Sequence, residues 1–241
     1  MKEIIKHASK LFGRMLIVTV MNIFLCISLM VLATAAFTEV NGYNAYVYEK
    51  DSEKLVAEYT YNSADGEDTQ KADYEEQGYV VSTQETRTEM SKAGMNTYLC
   101  ITQIIALMLM TGFIYPNIWD LGAKDSNLVK FKHKNEDKLR GLKIGLIAVA
   151  PAVILMLVIF ACGGKLFNVA LFAMLFANFY GIIEAVSGSA IMVSDLAVWQ
   201  MAVMVISLFI APLIAFAAYL LGYKDVSLSE KLIYKKNKTT K

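Results

Sequence analysis

The chain is poor in the residues from which catalytic and metal sites are usually built. Its 241 residues include two histidines, three cysteines and three prolines. Cys26, Cys100 and Cys162 lie in apolar runs without C-x-x-C spacing, which excludes a zinc or redox motif of that kind. His7 and His133 lie outside the apolar runs, which argues against histidine chemistry inside a membrane.

The sequence also lacks the motifs of the common enzyme classes. There is no G-x-x-x-x-G-K-[ST] phosphate loop, no G-x-G-x-x-G and no H-E-x-x-H. Ser187-Gly188-Ser189 superficially resembles a serine-nucleophile turn, but no base accompanies it, so we interpret it as a break between helices. We therefore expect no enzymatic activity, no catalytic residues, no bound metal and no cofactor.

What the chain has in abundance is apolar sequence. Hydrophobic residues make up 56% of it and the mean hydropathy is +0.44. Soluble domains contain roughly 45 to 50% apolar residues. The formal net charge of +1 conceals acids and bases that lie in different segments. This pattern predicts an all-α membrane protein with about four transmembrane helices and a small extracytoplasmic antiparallel β insertion between the first two.

A basic segment from Lys124 to Lys143 sets the predicted orientation. It carries seven Lys and Arg residues between two apolar runs, and short cationic loops stay in the cytoplasm. The N-terminal residues 1–14 are also cationic, and the apolar run 15–37 that follows is long enough to cross a bilayer. A cleaved signal peptide ending near Ala35 is the alternative, because Ala33-Thr34-Ala35 fits a small-x-small cleavage site.

Residues 38–96 have the opposite composition, with thirteen Asp and Glu against five Lys and Arg. Alternating residues at 43–49 and 55–61 predict a β-hairpin, and 79–83 predicts a third strand. Such a small sheet needs one covered face. We expect this face to lie on the membrane surface or on a partner.

The region 164–196 leaves two layouts open. If residues 166–186 cross, there are five spans, and Lys and Arg divide eleven inside to twelve outside. If they form interfacial or re-entrant helices there are four spans, and the division is seventeen to six, which agrees with the positive-inside rule. We favour four spans. The predicted layout is a cytoplasmic N-terminus 1–14, spans 15–37, 97–119, 142–163 and 197–221, an outer β-rich domain 38–96, a cytoplasmic loop 120–141, an outer region 164–196 and a basic tail 222–241.

Three polar residues inside apolar runs are candidate transport-pathway or helix-packing residues: Glu184, Gln103 and Asn22. Two prolines lie at the apolar runs: Pro116 predicts that its helix ends or bends there, and Pro151 predicts a kink.

Two functions fit these features. One is a non-enzymatic accessory or interaction subunit whose acidic ectodomain meets a membrane or extracellular protein. The alternative is a transport component, such as a small permease or the membrane subunit of an exporter. The other expected partners are the bilayer and its anionic headgroups, contacted at Lys124–Lys143 and Lys224–Lys241, with no nucleic acid. The composition suggests a bacterial plasma membrane with both termini in the cytoplasm.

Overall fold

The computed structural model describes residues 1–39, 42–50, 54–62, 69–86, 89–133 and 135–226. It is mostly helical and divides into two compact units. The first unit contains Met1–Ile27 and Leu99–Lys241, and the second contains Ser28–Tyr98. The predicted basic tail lies largely outside the described residues, since the description ends at 226.

Four single helical stretches are long and apolar enough to cross a membrane. They are Lys2–Phe37, Lys92–Lys130, Arg140–Ala161 and Val198–Tyr223. Among the described residues, a bent pair of shorter helices, Val169–Leu175 and Ala177–Ser187, counts as a further apolar span if it is taken as one segment, so both four and five spans are compatible with the structure. The individual helices are α1 (Lys2–Phe37), α2 (Thr69–Glu76), α3 (Lys92–Lys130), α4 (Arg140–Val158), α5 (Val169–Leu175), α6 (Tyr180–Ser187), α7 (Val198–Ser207) and α8 (Ile210–Tyr223). A π-helical turn, Ile159–Gly163, continues α4.

Helix α3 extends beyond the predicted span 97–119. Pro116 lies inside the helix rather than at its end, and α3 continues to Lys130, so residues 120–130 of the predicted loop 120–141 are helical. The physical reason is a buried stripe at helical spacing, Ile114, Ile118, Leu121 and Asp125, which continues past the proline. Packing along this stripe outweighs the one backbone hydrogen bond that a proline removes. The other end of the predicted loop, from Arg140, begins α4.

Helices α4 and α8 pack closely because glycines face the contact. A side chain at Gly141 would collide with Tyr219, and one at Gly145 would lie 2.6 Å from the Cα of Pro212. The spacing Gly141-x-x-x-Gly145 is the small-x-x-x-small pattern of close helix pairs. Lys143, which lies between the two glycines, is exposed and pairs with Asp137, so its charge does not enter the contact.

The second unit contains the predicted antiparallel sheet. Strands β2 (Gly42–Glu49), β3 (Leu55–Asn62) and β4 (Tyr79–Thr86) pair in the order β3-β2-β4, so the first predicted strand is central. Two short strands, β1 (Thr38–Glu39) and β5 (Glu89–Met90), pair separately. The turn of the predicted hairpin falls largely on residues 51–53, which lie outside the described residues.

One face of this sheet is covered by α2, which the sequence analysis did not predict. Tyr74 of α2 stacks on Tyr59 at 5.8 Å between ring centroids and meets Tyr79 edge-on at 6.2 Å. Ala45 and Val47 of the central strand are fully buried on this face. The unit therefore has a small core of its own, which corrects the expectation that a membrane or partner covers this face.

Candidate functional site

The region 164–196 forms a bent helical hairpin at the centre of the candidate site. Helix α5 and the segment Ala177–Ser187 meet at an angle of 103°. Asn168 caps α5 by accepting from the Ala170 N–H at 2.7 Å, and Phe176 leaves helical geometry at φ −111° and ψ 41°. A 3-10 turn, Ala177–Phe179, then leads into α6. The bend therefore exposes backbone groups that need partners from other helices.

Asn178 lies at the bend and is bonded to helix α1. It is 5% exposed, and its Oδ1 accepts from the Asn22 side-chain amide at 2.8 Å. Its own amide donates to the Thr19 hydroxyl at 2.9 Å. Asn22 is completely buried, so its polar group would be costly there without this partner.

Gln103 of α3 binds the backbone of the same bend. Its Nε2 donates to the carbonyl of Asn178 at 3.2 Å, and its Oε1 accepts from the Ile182 N–H at 3.1 Å. Gly181 permits this approach, because a side chain there would lie 2.5 Å from the Leu99 carbonyl oxygen. One glutamine thus satisfies a donor and an acceptor that the break in the helix leaves open. Irregular backbone at membrane depth requires this kind of support.

Glu184, the third candidate residue, lies on α6 outside this hydrogen-bonded cluster. Its Oε1 is buried and has no hydrogen-bond partner among the described residues. Two further buried side-chain oxygens, Asn22 Oδ1 and Thr102 Oγ1, also have no hydrogen-bond partner among the described residues. The structure thus brings Asn22 and Gln103 together around Asn178 and leaves Glu184 apart from them.

A second polar group, which we call the charge cluster, joins the ends of four helices. It consists of Glu3, Asp125, Arg140 and Tyr219, from α1, α3, α4 and α8. Arg140 donates to both carboxylate oxygens of Asp125, at 2.8 and 2.7 Å, and to Glu3 at 2.9 Å. The Tyr219 hydroxyl donates to Asp125 at 2.8 Å.

The members of the charge cluster differ sharply in burial. The side chains of Asp125 and Arg140 are each 4% exposed, whereas Glu3 is 77% exposed. Sequence analysis missed the cluster because it counted Arg140 as one of several solvated loop cations. In the sequence Asp125 follows Ile114, Ile118 and Leu121 at helical spacing, but that spacing alone does not distinguish a buried carboxylate from an exposed one.

The chemistry of these groups is that of binding and positioning. Amides and hydroxyls orient backbone and do not titrate near neutral pH, and the charge cluster pairs its ions internally. Among the described residues there is no group of three His, Cys, Asp or Glu side chains that could hold a metal.

Comparison with known proteins adds no assignment to this geometry. No protein-family model, curated protein or solved structure matches the chain.

Proposed function

We propose that the chain is a multi-pass plasma-membrane protein that acts as a non-enzymatic interaction subunit, binding a protein partner through its acidic β unit. The observation that carries the proposal is the second face of the sheet, opposite α2. Residues directly opposite in an antiparallel sheet share a face. Tyr46 pairs with Glu58 and Ser82, and Tyr48 pairs with Leu55 and Val80.

This second face is apolar and accessible at one end, around Tyr48, Leu55 and Val80. Its other end carries the polar residues Asn44, Thr60 and Gln84. Leu55 and Val80 are each 49% exposed, and Tyr46 and Tyr48 are half-buried. Tyrosine is enriched at the centre of protein interfaces, and a charged residue such as Glu58 is typical of their polar rim. The opposite face has its own cover in α2, so the two faces have different roles.

Charge supports both the orientation and the kind of partner. Residues 38–96 contain thirteen acidic and five basic residues, which favours a partner with a basic surface. The seventeen-to-six division of cations favours placing this unit outside the cytoplasm. The exposed lysines between Lys124 and Lys143 would then face anionic headgroups.

The test is recovery of a partner from native membranes. The tagged full chain, extracted in mild detergent, should carry a stoichiometric protein, and Val80→Arg should lose it. Ala72→Arg introduces the same charge at an exposed position of α2 and should retain it. A monodisperse, partner-free wild-type chain, or equal loss in both variants, would contradict the proposal.

A transport component is the second candidate, favoured by one observation. The bent hairpin is held at its break by Asn22 and Gln103, and one oxygen of its Glu184 is buried with no hydrogen-bond partner in the part of the chain that the structure describes. Discontinuous helices and isolated carboxyl groups mark ion and substrate paths in transporters. This candidate predicts proton or cation flux through reconstituted vesicles, reported by a trapped pH-sensitive dye. Glu184→Gln should abolish that flux, and vesicles whose wild-type flux equals that of protein-free vesicles would eliminate the candidate.

A further inference from the structure

A cavity of about 210 Å³ lies beside the bend of the hairpin. Helix α1 contributes Leu16 and Thr19 to its wall, α4 contributes Ala152 and Leu155, and the hairpin contributes Phe176 and Asn178. Pro151 also lines it, so the cavity adjoins both the proline of α4 and the break after α5. These are the places where regular helix packing is interrupted, which explains why space remains there.

The wall of the cavity is suited to an apolar occupant. Thr19 and Asn178 are its two polar residues among the described ones, and their polar groups bind each other and the protein. The Thr19 hydroxyl donates to the Met15 carbonyl at 2.9 Å and accepts from Asn178. The Asn178 oxygen accepts from Asn22. Cavities lined by apolar groups do not hold water, and apolar molecules enter them instead.

The mouth of the cavity identifies the source of that occupant. Three of the lining residues, Leu16, Leu155 and Leu175, are 51%, 48% and 46% exposed, so the cavity opens at the surface beside them. Neighbouring residues on the same two long helices, such as Val20 and Val158, are exposed to a similar extent. When these helices cross a bilayer, the medium at the mouth is hydrocarbon. The cavity is then continuous with the surface that contacts lipid chains.

We propose that this cavity is a binding site for one acyl chain of a bilayer lipid, which packs against the hairpin at Phe176 and Asn178. The proposal rests on the membrane insertion in the proposed function, but not on a protein partner. A chain in this position would support the bend at Phe176 and Asn178, in addition to the hydrogen bonds that Gln103 makes to its backbone. Lipid would then act as a structural ligand of the hairpin, beyond its role as solvent.

The test uses phosphatidylcholine with a photoactivatable diazirine in its acyl chain, in vesicles containing the full-length protein. After illumination, labelled peptides are mapped by mass spectrometry. The substitution Ala152→Phe fills the cavity with a large side chain, and Ala152→Leu fills it in part. The matched control is Ala217→Phe, which makes the same change at an exposed position of α8. Circular dichroism and size exclusion establish that each variant is folded.

The wild-type chain should be labelled at the peptide containing Phe176. This labelling should be lost in Ala152→Phe, reduced in Ala152→Leu and retained in Ala217→Phe. Equal labelling of that peptide in the wild type and the two filled variants would overturn the proposal. So would labelling of exposed helix faces without labelling near Phe176. If no long helix is labelled in any variant, membrane insertion itself is refuted, a different result from the loss of the site alone.

Discussion

Removing Arg140 should destabilise the chain more than removing Asp125, although the two residues form one buried pair. Both side chains are 4% exposed, and two hydrogen bonds of 2.7 and 2.8 Å join them. Their other partners differ. Without Arg140, the Asp125 carboxylate loses the cation that binds both of its oxygens and keeps the Tyr219 hydroxyl. Without Asp125, Arg140 keeps a carboxylate, that of Glu3, at 2.9 Å.

The expected losses of unfolding free energy follow from the buried charge that each substitution leaves behind. Removing one partner of a buried ion pair costs about 3 to 5 kcal/mol, because the other charge remains buried. We expect Arg140→Met near the upper end of that range and Asp125→Leu at its lower end or below. Glu3→Ala should cost about 0 to 1 kcal/mol, the range for solvent-exposed pairs, because Glu3 is 77% exposed.

Unfolding of the purified protein in micelles, titrated with a denaturing detergent and followed by circular dichroism, measures these differences. Lys124→Ala is the matched control, since it breaks an exposed pair with Asp120 in the same region. The double variant Arg140→Met with Asp125→Leu should be more stable than the sum of the single losses implies. Additive losses, or a larger loss for Asp125→Leu than for Arg140→Met, would refute the reasoning.

Three further predictions concern the hairpin. Asn178→Leu should lower stability by about 1 to 2 kcal/mol in the same titration, because it leaves the buried Asn22 amide without its acceptor. Gly181→Ala should also destabilise, because the new methyl would lie 2.5 Å from the Leu99 carbonyl oxygen, whereas Gly13→Ala, at a position with open space, should not. Glu184→Gln should leave stability unchanged or raise it, since a buried carboxyl oxygen without a partner contributes nothing to folding; a clear loss would show a structural role.

Long-range features account for most of what the sequence did not reveal. Apolar runs and strict alternation are local signals, so four long helices and the strands β2, β3 and β4 could be predicted. Asp125 pairs with Arg140 fifteen positions away and with Tyr219 ninety-four positions away. Nothing in a basic segment distinguishes such a charge from a solvated one. The pairing exists only once four helices have come together.

The candidate site residues could be recognised in the sequence as polar residues within apolar runs, but their hydrogen-bond partners could not. Asn22 and Gln103 stood out because each lies in an apolar run. Their common partner is Asn178, whose position at a bend of 103° depends on the fold of the hairpin. Helix α2 was missed for another reason: its sequence TQKADYEE is polar, and its contact with the sheet depends on one tyrosine, Tyr74.

The hydrogen bonds around Asn178 and the charge cluster together explain how α1 is held in place. In the most apolar part of α1, 22% of the residues are buried, compared with 39% in Val198–Tyr223. Apolar packing therefore contributes least to holding α1. If these helices cross a bilayer, as we propose, there is also little hydrophobic driving force for their association. Helix α1 is bonded at Glu3 and again at Asn22, points separated by roughly 28 Å of helix. The buried bond at Asn22 is the stronger attachment, and the exposed pair at Glu3, at about 0 to 1 kcal/mol, only biases the tilt and rotation of the helix. The polar side chains therefore specify the arrangement of this unit, and the apolar ones fill it.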